Sequence, residues 1–407
     1  MGGQSGQSRH STAVPFRQFV LKMHSRCNLA CTYCYIYTGP DRTWRRRPSK
    51  VAAATRRQTA LRIAEHARTH RLREIRIELH GGEPLLTGPG PLLDQAAAIR
   101  AALPADCTAA FGVQTNGTLL TEQLVDTLGA AGFHIGLSLD GGTPGLNRRR
   151  LDHAGRPSWP AVSRAVRLLR ARPEVFAGIL CTVDITADPA EVHGSLRALA
   201  PPMLDFLLPH ANWSSPPPAP PLPAGPTPYG DWLCTVFDLW WDGGPGPRVR
   251  LFTEILGLLL GRPGAGETVG LSPFVALVID TDGAIEQVDS LKSAYEGATA
   301  TGLDVFRNTF DEALAHPGVA ARQRGRDGLG AQCRRCALMA VCGGGNYAHR
   351  YRAGPSGFAN PSVYCADLER LIRHIAARLD TAVSPARRPP PPLPKSPAAR
   401  PTDVPPT

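Results

Sequence analysis

The chain has 407 residues, 43% of them hydrophobic, and a formal charge of +11 carried far more by arginine than by lysine. No run approaches the length of a membrane-spanning helix, and the N-terminus MGGQSGQSRHSTAVPF lacks the apolar core of a secretory signal, so the expected location is cytoplasmic with no membrane partner. The arginine clusters Arg45, Arg46, Arg47 and Arg148, Arg149, Arg150 have no interleaved aromatics; they read as solvated surface, and no nucleic-acid partner is expected.

Residues 1–15, polar and rich in Gly and Ser, read as a flexible tail. From Phe16 to Pro209 short apolar runs alternate with stretches of helical period. The runs are Phe19–His24, Ile75–His80, Ala110–Thr115, His134–Leu139, Gly178–Asp184 and Leu204–Pro209. Ala52–His70, Gly90–Leu103, Thr121–Ala131 and Trp159–Ala171 are amphipathic. Such repetition predicts a parallel sheet with helices outside it, as an open sheet or a barrel spanning residues 16–212. Residues 213–247 hold a connection too proline-rich for regular structure, SSPPPAPPLPAGPTP, and a bridging helix near Asp231–Trp241. A second unit over 248–380 ends in a helix, Ala366–Leu379, and the proline-rich 381–407 can bury too little to order.

Ten cysteines in a compartment that keeps thiols reduced argue for metal or redox chemistry over disulfides, and seven fall into two groups. The strand-like FVLKMHS runs into RCNLACTYCY, which places Cys27, Cys31 and Cys34 in a C-x3-C-x2-C array at a strand's C-terminal end. Three thiolates ligate three irons of a 4Fe-4S cube and leave the fourth open. An open iron can chelate the amino and carboxylate groups of S-adenosylmethionine (SAM), deliver an electron and release a 5'-deoxyadenosyl radical. A zinc site would want a fourth nearby ligand.

This array, with Tyr33 before its third cysteine, resembles the signature of the radical SAM superfamily. The resemblance implies a partial (β/α)6 barrel whose C-terminal strand ends carry the site. In HGGEPLL, Gly81, Gly82 and Glu83 would line the methionyl amine of SAM; in QTNGTLL, Asn116 would face the ribose; in LSLDG, Ser138 and Asp140 occupy the next strand end. An arginine of NRRRLDHAGRPSW would pair with the SAM carboxylate, assigned to Arg150 with Arg149 as runner-up.

Cys333, Cys336, Cys342 and Cys365 form the second group. Four thiolates saturate a 4Fe-4S cluster, which suits electron transfer, although a zinc ribbon shares the spacing. Beside the barrel the group resembles the SPASM extension of peptide-modifying radical SAM enzymes, so the expected C-terminal domain is SPASM/twitch-like. Its full form uses seven cysteines for two auxiliary clusters. Here Asn346 stands where another would fall and VIDTDGAIEQVDSLK holds none, so one auxiliary 4Fe-4S cluster is expected.

Together HGGEPLL, DTDGAIEQVDSLK, CGGGNYAHRY and GFANPSVYCADLERLI resemble the FxsB-type, cyclophane-forming peptide maturases. That likeness implies a ribosomal precursor peptide as substrate, an external electron donor of flavodoxin or ferredoxin type, and a carbon-carbon crosslink between an aromatic ring and a side-chain β-carbon. Thioether formation and sulfatase-type oxidation of Ser or Cys are the alternatives within this chemistry; a zinc-dependent nucleic-acid-binding protein is the alternative outside it. By position Asp289 resembles the catalytic acid of sulfatase-maturing relatives and is the candidate base, with a capping aspartate as the competing role. His210, Asn212, His349, Arg350 and Tyr351 are candidates for shaping a peptide channel, against structural roles for each. Cys107, Cys181 and Cys234 read as buried thiols.

Overall fold

A computed structural model describes residues 13–219, 225–264 and 266–383. Most of the expected N-terminal tail, part of the proline-rich connection and the expected C-terminal tail therefore lie outside the described residues. Val14 is already anchored, its N–H donating to Gln323 Oε1 at 2.9 Å.

The six predicted runs are strands β1 (Gln18–His24), β2 (Glu74–Gly81), β3 (Thr108–Thr115), β4 (Phe133–Ser138), β5 (Phe176–Thr182) and β6 (Met203–Leu207). Each pairs in parallel with the next, and helices Ala53–Thr69, Pro89–Ala102, Glu122–Ala130, Trp159–Arg170 and Pro189–Ala198 form the crossovers. The last of these escaped sequence reading. Its start carries a sound signal all the same: Asp188 accepts from the Ala190 and Glu191 N–H groups, and Pro189 takes the first helical position.

Alternation sets the two faces. Along β2, Ile75, Ile77 and Leu79 enter the apolar core, whereas Arg76, Glu78 and His80 line a cavity of about 1000 Å³ inside the barrel. The lining is polar because glycines make room for it. Glu78 lies in register with Gly112, and Gln114 with Gly136; a Cβ on either glycine would fall 2.4 Å from the Glu78 carboxylate or 2.2 Å from the Gln114 amide. Long polar side chains thus lie across the glycines of the next strand.

The sheet does not stop at the barrel. Strand β7 (Arg248–Val249) extends it beyond β6, and β8 (Ala276–Ile279) joins the other edge in parallel with β1. Strands β9 (Ala284–Glu286) and β10 (Ala300–Asp304) follow antiparallel, giving the order β10-β9-β8-β1-β2-β3-β4-β5-β6-β7. The C-terminal segment is therefore built onto the barrel's first strand.

The bridging helix is longer than its sequence pattern indicated, Pro228–Asp242, and packs against the terminal helix Cys365–Val383. Phe237 is fully buried between them, ringed by Trp240, Trp241, Phe252 and His374. Phe237→Ala should cost about 3–5 kcal/mol through the cavity it leaves, read as a lower denaturant midpoint with an unchanged slope.

Candidate active site

The loop after β1 carries the first cysteine group and is pressed onto the end of β2. Gly82 N–H donates to the His24 carbonyl (2.8 Å) and Glu83 N–H to that of Arg26 (3.0 Å). A Cβ on Gly81 would fall 2.2 Å from His24 O, and one on Gly82 within 2.4 Å of Arg26 O. The sequence called for glycines so that the backbone could approach closely, and here the approach is to the cysteine loop itself.

Cys27, Cys31 and Cys34 are all partly buried and unpaired in disulfides. Burial pushes the Cys27 thiol up to about 12 and raises Cys31 and Cys34, with Cys31 adding to the shift at Cys27 and Cys34 to that at Cys31. Three thiols on one short loop are a donor set whose protons a cluster iron would draw off. The donor set fits a 4Fe-4S cluster.

Glu83 is 1% exposed, and its carboxylate accepts from Leu85 N–H (3.0 Å), Thr115 Oγ1 (2.7 Å) and Asn116 N–H (2.8 Å). Those bonds tie the ends of β2 and β3 together. Asn116 in turn donates through Nδ2 to Asn28 Oδ1 (2.9 Å) and to Cys27 Sγ (3.6 Å), so it supports the cysteine loop. Ser138, at the end of β4, accepts from Gln114 Nε2 at 2.9 Å.

The arginine cluster at 148–150 divides. Arg148 and Arg149 reach Asp184 at 3.0 and 3.7 Å. Arg150 is 6% exposed; it donates to Tyr33 Oη (2.7 Å), which donates to Asp140, whose carboxylate also lies 3.8 Å from the guanidinium. Burial alone would lower the Arg150 guanidinium, but Tyr33, Asp140 and Cys31 outweigh it and hold the charge. Arg150 Nε is buried without a hydrogen-bond partner, and a buried donor left idle is an unmet demand for an acceptor such as a carboxylate. The expectation of a solvated surface fails for Arg150, and also for Arg47, which pairs with Asp280, Asp282 and Glu286 because the hairpin of β8 and β9 brings three carboxylates to it.

Asp289 comes from the segment after β9 and lies beside Lys22 of β1, 2.6 Å from Nζ. It is 8% exposed; burial pushes its carboxyl up, but Lys22, Lys292 and His80 outweigh burial and hold it below the usual range. The only capping this segment shows at Asp289 would be of its own turn, and no side-chain cap bond is made there.

The second group lies at the far end of the C-terminal segment. Cys333, Cys336, Cys342 and Cys365 fall within electrostatic reach of one another, and burial pushes Cys342 up to about 11. Gly343, Gly344 and Gly345 all have positive φ (58°, 80° and 70°), which turns the chain sharply after Cys342. Arg350 spans that turn, donating to the carbonyls of Gly343 (2.6 Å), Gly344 (3.1 Å) and Gly345 (2.7 Å). Asn346 caps the Tyr347–Arg350 turn by accepting from Ala348 N–H at 3.0 Å. Four thiols, one of them at the start of this turn and one at the head of the terminal helix, fit a second cluster.

Of the candidate channel residues, Asn212 and His349 are buried, Arg350 braces the glycine turn, and Asn212 donates to Ser293 O at 2.8 Å. Cys107, Cys181 and Cys234 are buried within the core, 7%, 1% and 4% exposed. Sequence reading missed Lys22, His80 and Lys292. Lys22 carried a signal in its position, since a lysine in the largely apolar strand QFVLKMH is costly unless paired.

Residues 21–192 match the model of the Radical SAM superfamily. The chain is 32% identical over 196 residues to a serine-type anaerobic sulfatase-maturating enzyme of Klebsiella aerogenes, covering 47% of this chain and 46% of that protein. At that identity it spans about half the length of the curated relative. A longer match to the enzyme of the same description from Bacteroides thetaiotaomicron is 21% identical and covers 90% of this chain and 91% of that one. Among solved structures, native anSMEcpe with bound AdoMet superposes with a TM-score of 0.75 at 21% identity, over 90% of this chain and 99% of that one. The same protein with AdoMet and Cp18Cys peptide gives 0.73, over 91% and 99%. The barrel region thus matches the Radical SAM superfamily over residues 21–192, and its cysteine set fits a 4Fe-4S cluster. The two relatives named are both sulfatase-maturating enzymes. No helix among the described residues is long and apolar enough to cross a membrane.

Cys31→Ala should lower reconstituted iron from about eight to about four per chain and abolish release of 5'-deoxyadenosine from SAM under strong reductant. Gly343→Ala should strain the turn after Cys342, where a Cβ would fall 1.6 Å from Gly270 O. It should remove about four irons from the other group, seen as a lost share of absorbance near 400 nm.

Proposed function

We propose that this enzyme is a peptide maturase that oxidises a side chain of a ribosomally made precursor by two electrons, most simply by closing a carbon-carbon bond between an aromatic ring and a β-carbon. The observation that carries it is the buried Asp289–Lys22 pair, which faces the barrel beside Tyr35, His80 and His210. The bound SAM and its cluster supply a 5'-deoxyadenosyl radical that takes a hydrogen atom from the substrate. Asp289 then holds the position of a base. Lys22 keeps it ionised until a proton is offered, and burial makes the uncharged acid tolerable once the proton has arrived.

Residues Cys27, Cys31 and Cys34 hold the SAM-binding cluster, and Arg150 offers its guanidinium to the SAM carboxylate. Cys333, Cys336, Cys342 and Cys365 hold an auxiliary cluster as electron acceptor. An external flavodoxin- or ferredoxin-type donor would supply reducing equivalents. Addition of the substrate radical to the ring would leave one electron, for which a cluster on Cys333, Cys336, Cys342 and Cys365 would be the acceptor, and one proton, which Asp289 would take, so the product would have lost two hydrogens in all. Residues 16–212 would then carry SAM cleavage and residues 248–380 electron disposal.

A second outcome, oxidation of a Ser or Cys side chain to an aldehyde, is favoured by the full-length match to sulfatase-maturating enzymes. Both outcomes use the same residues. A synthetic peptide carrying an aromatic residue, a serine and a cysteine, incubated with SAM and reductant, distinguishes them. Fragmentation that fails across a three-residue segment denotes a ring, whereas reaction with a hydrazine denotes the aldehyde. Deuterium at the β-carbon should appear in 5'-deoxyadenosine in either case; unlabelled 5'-deoxyadenosine with unchanged peptide would sink the proposal. Asp289→Asn should still form 5'-deoxyadenosine and yet give product at least about a hundredfold more slowly, the usual scale of general-base loss.

A further inference from the structure

The two cysteine groups are joined by an unbroken row of four rings. Tyr35 directly follows Cys34, the last thiol of the first group, and Tyr364 directly precedes Cys365, the last of the second. Between them lie two histidines. Tyr35 meets His210 edge-on with centroids 4.5 Å apart; His210 and His349 are 5.4 Å apart and hydrogen-bonded, Nδ1 to Nε2, at 3.2 Å; His349 meets Tyr364 edge-on at 5.0 Å. Tyr35 and His210 are partly exposed, whereas His349 and Tyr364 are 3% and 0% exposed.

Packing alone does not call for this choice of residues. Leucine or phenylalanine would fill the same space without placing imidazole nitrogens away from water, which costs free energy for any polar atom lacking a partner. Here the imidazoles partner each other. Burial holds His210 down at about 4 and His349 well below its ordinary value, so both rings are neutral and no fixed charge interrupts the row. The backbone fixes its geometry: Val363 N–H donates to His349 O at 2.9 Å, and Tyr364 Oη donates to the carbonyl of Pro209, the residue before His210, at 2.8 Å.

The cysteine inventory gives the row a task. Seven of the ten cysteines form the two groups and the remaining three are buried elsewhere in the core, so no cysteine set is left for an intervening cluster. Electron tunnelling weakens exponentially with distance, and contiguous π systems weaken it less than empty space. We propose that Tyr35, His210, His349 and Tyr364 form the electron path between the two cysteine groups, in place of a third metal centre. This rests on the two-cluster assignment proposed above.

The test runs the path in reverse and needs no peptide. Reconstituted enzyme is fully reduced with titanium(III) citrate, freed of reductant, and mixed with SAM and a monothiol. Each SAM cleaved consumes one electron, breaking the sulfonium carbon-sulfur bond to give methionine and the deoxyadenosyl radical. The radical takes a hydrogen atom from the thiol, and two thiyl radicals combine to a disulfide. In the wild type the electron stored at Cys333, Cys336, Cys342 and Cys365 should travel the row and be consumed, so electron paramagnetic resonance should record loss of that cluster's reduced signal. His349→Leu and, independently, His210→Leu should retain the signal and lose about half of the 5'-deoxyadenosine, since one of two stored electrons is stranded.

Tyr229→Leu is the control for packing. Tyr229 meets the same Tyr364 ring edge-on at 5.0 Å but lies outside the row, so it should behave as the wild type. Equal signal loss in the histidine variants and wild type, or retention in the wild type, overturns the path. Retention in Tyr229→Leu equal to that in His349→Leu also overturns it, because disturbed packing would then account for both. Wild-type iron near four per chain with no second signal instead removes the two-cluster assignment, and the path with it.

Discussion

The close docking of the cysteine loop after β1 onto the end of β2 is the constraint around which this molecule is arranged. Burial raises all three thiols of the loop after β1, so exchange of their protons for a metal would stabilise the loop. The protein prepares for that exchange with backbone in place of charge. Gly81 and Gly82 give up their side chains so that the loop can dock on β2, and Asn116 supplies a donor to Cys27. Glu83 is spent on holding the ends of β2 and β3 in line. A motif that looks like a ligand cradle is first a clamp on the cysteine loop.

Around the thiols the barrel buries charges that ordinary cores avoid. Lys22 and Asp289, Lys292 and Glu286, and Arg150 and Asp140 are all at most 8% exposed. Such pairs seldom stabilise a fold over hydrophobic residues of equal volume, because desolvation offsets the attraction. Their value lies in position. Arg150 keeps its charge at full burial and presents one unpartnered N–H. Asp289 stays ionised although it is shielded from water. Both are the states that the proposed binding of a zwitterionic cofactor and late uptake of a proton would require.

How far the sequence revealed this depended on how local each signal was. The barrel strands could be read because each is a short, largely apolar run set between stretches of helical period, as in FAGILCT of β5. The cysteine arrays and the HGGEP segment could be read because their spacing is contiguous. Helix Arg250–Leu259 was overlooked because it follows β7 directly, and no side-chain cap marks its start. Lys22 could not be matched with Asp289, nor Arg47 with its three carboxylates, since both pairings cross more than two hundred residues and depend on β8 lying against β1. Arginine clusters invited a surface assignment that held for Arg148 and failed for Arg150, a difference made by a turn that points one guanidinium inward.

The pairing of β8 with β1 therefore does more than lengthen a sheet. It puts the C-terminal segment in register with the strand that ends in the first cysteine loop, so the residues after β9 must return to the barrel's mouth, where Asp289 meets Lys22. The same segment runs on through the glycine turn to Cys365, at the head of the terminal helix that packs on Pro228–Asp242. One end of this segment is fixed by strand hydrogen bonds and the other by helix packing. The two cysteine groups are consequently held by the same continuous sheet and core, with His210 and His349 bonded across the gap between them. A fold in which the second group sat on a separately mobile unit could not keep a 3.2 Å imidazole contact in place. The rigidity of that join is what keeps residues far apart in sequence in contact.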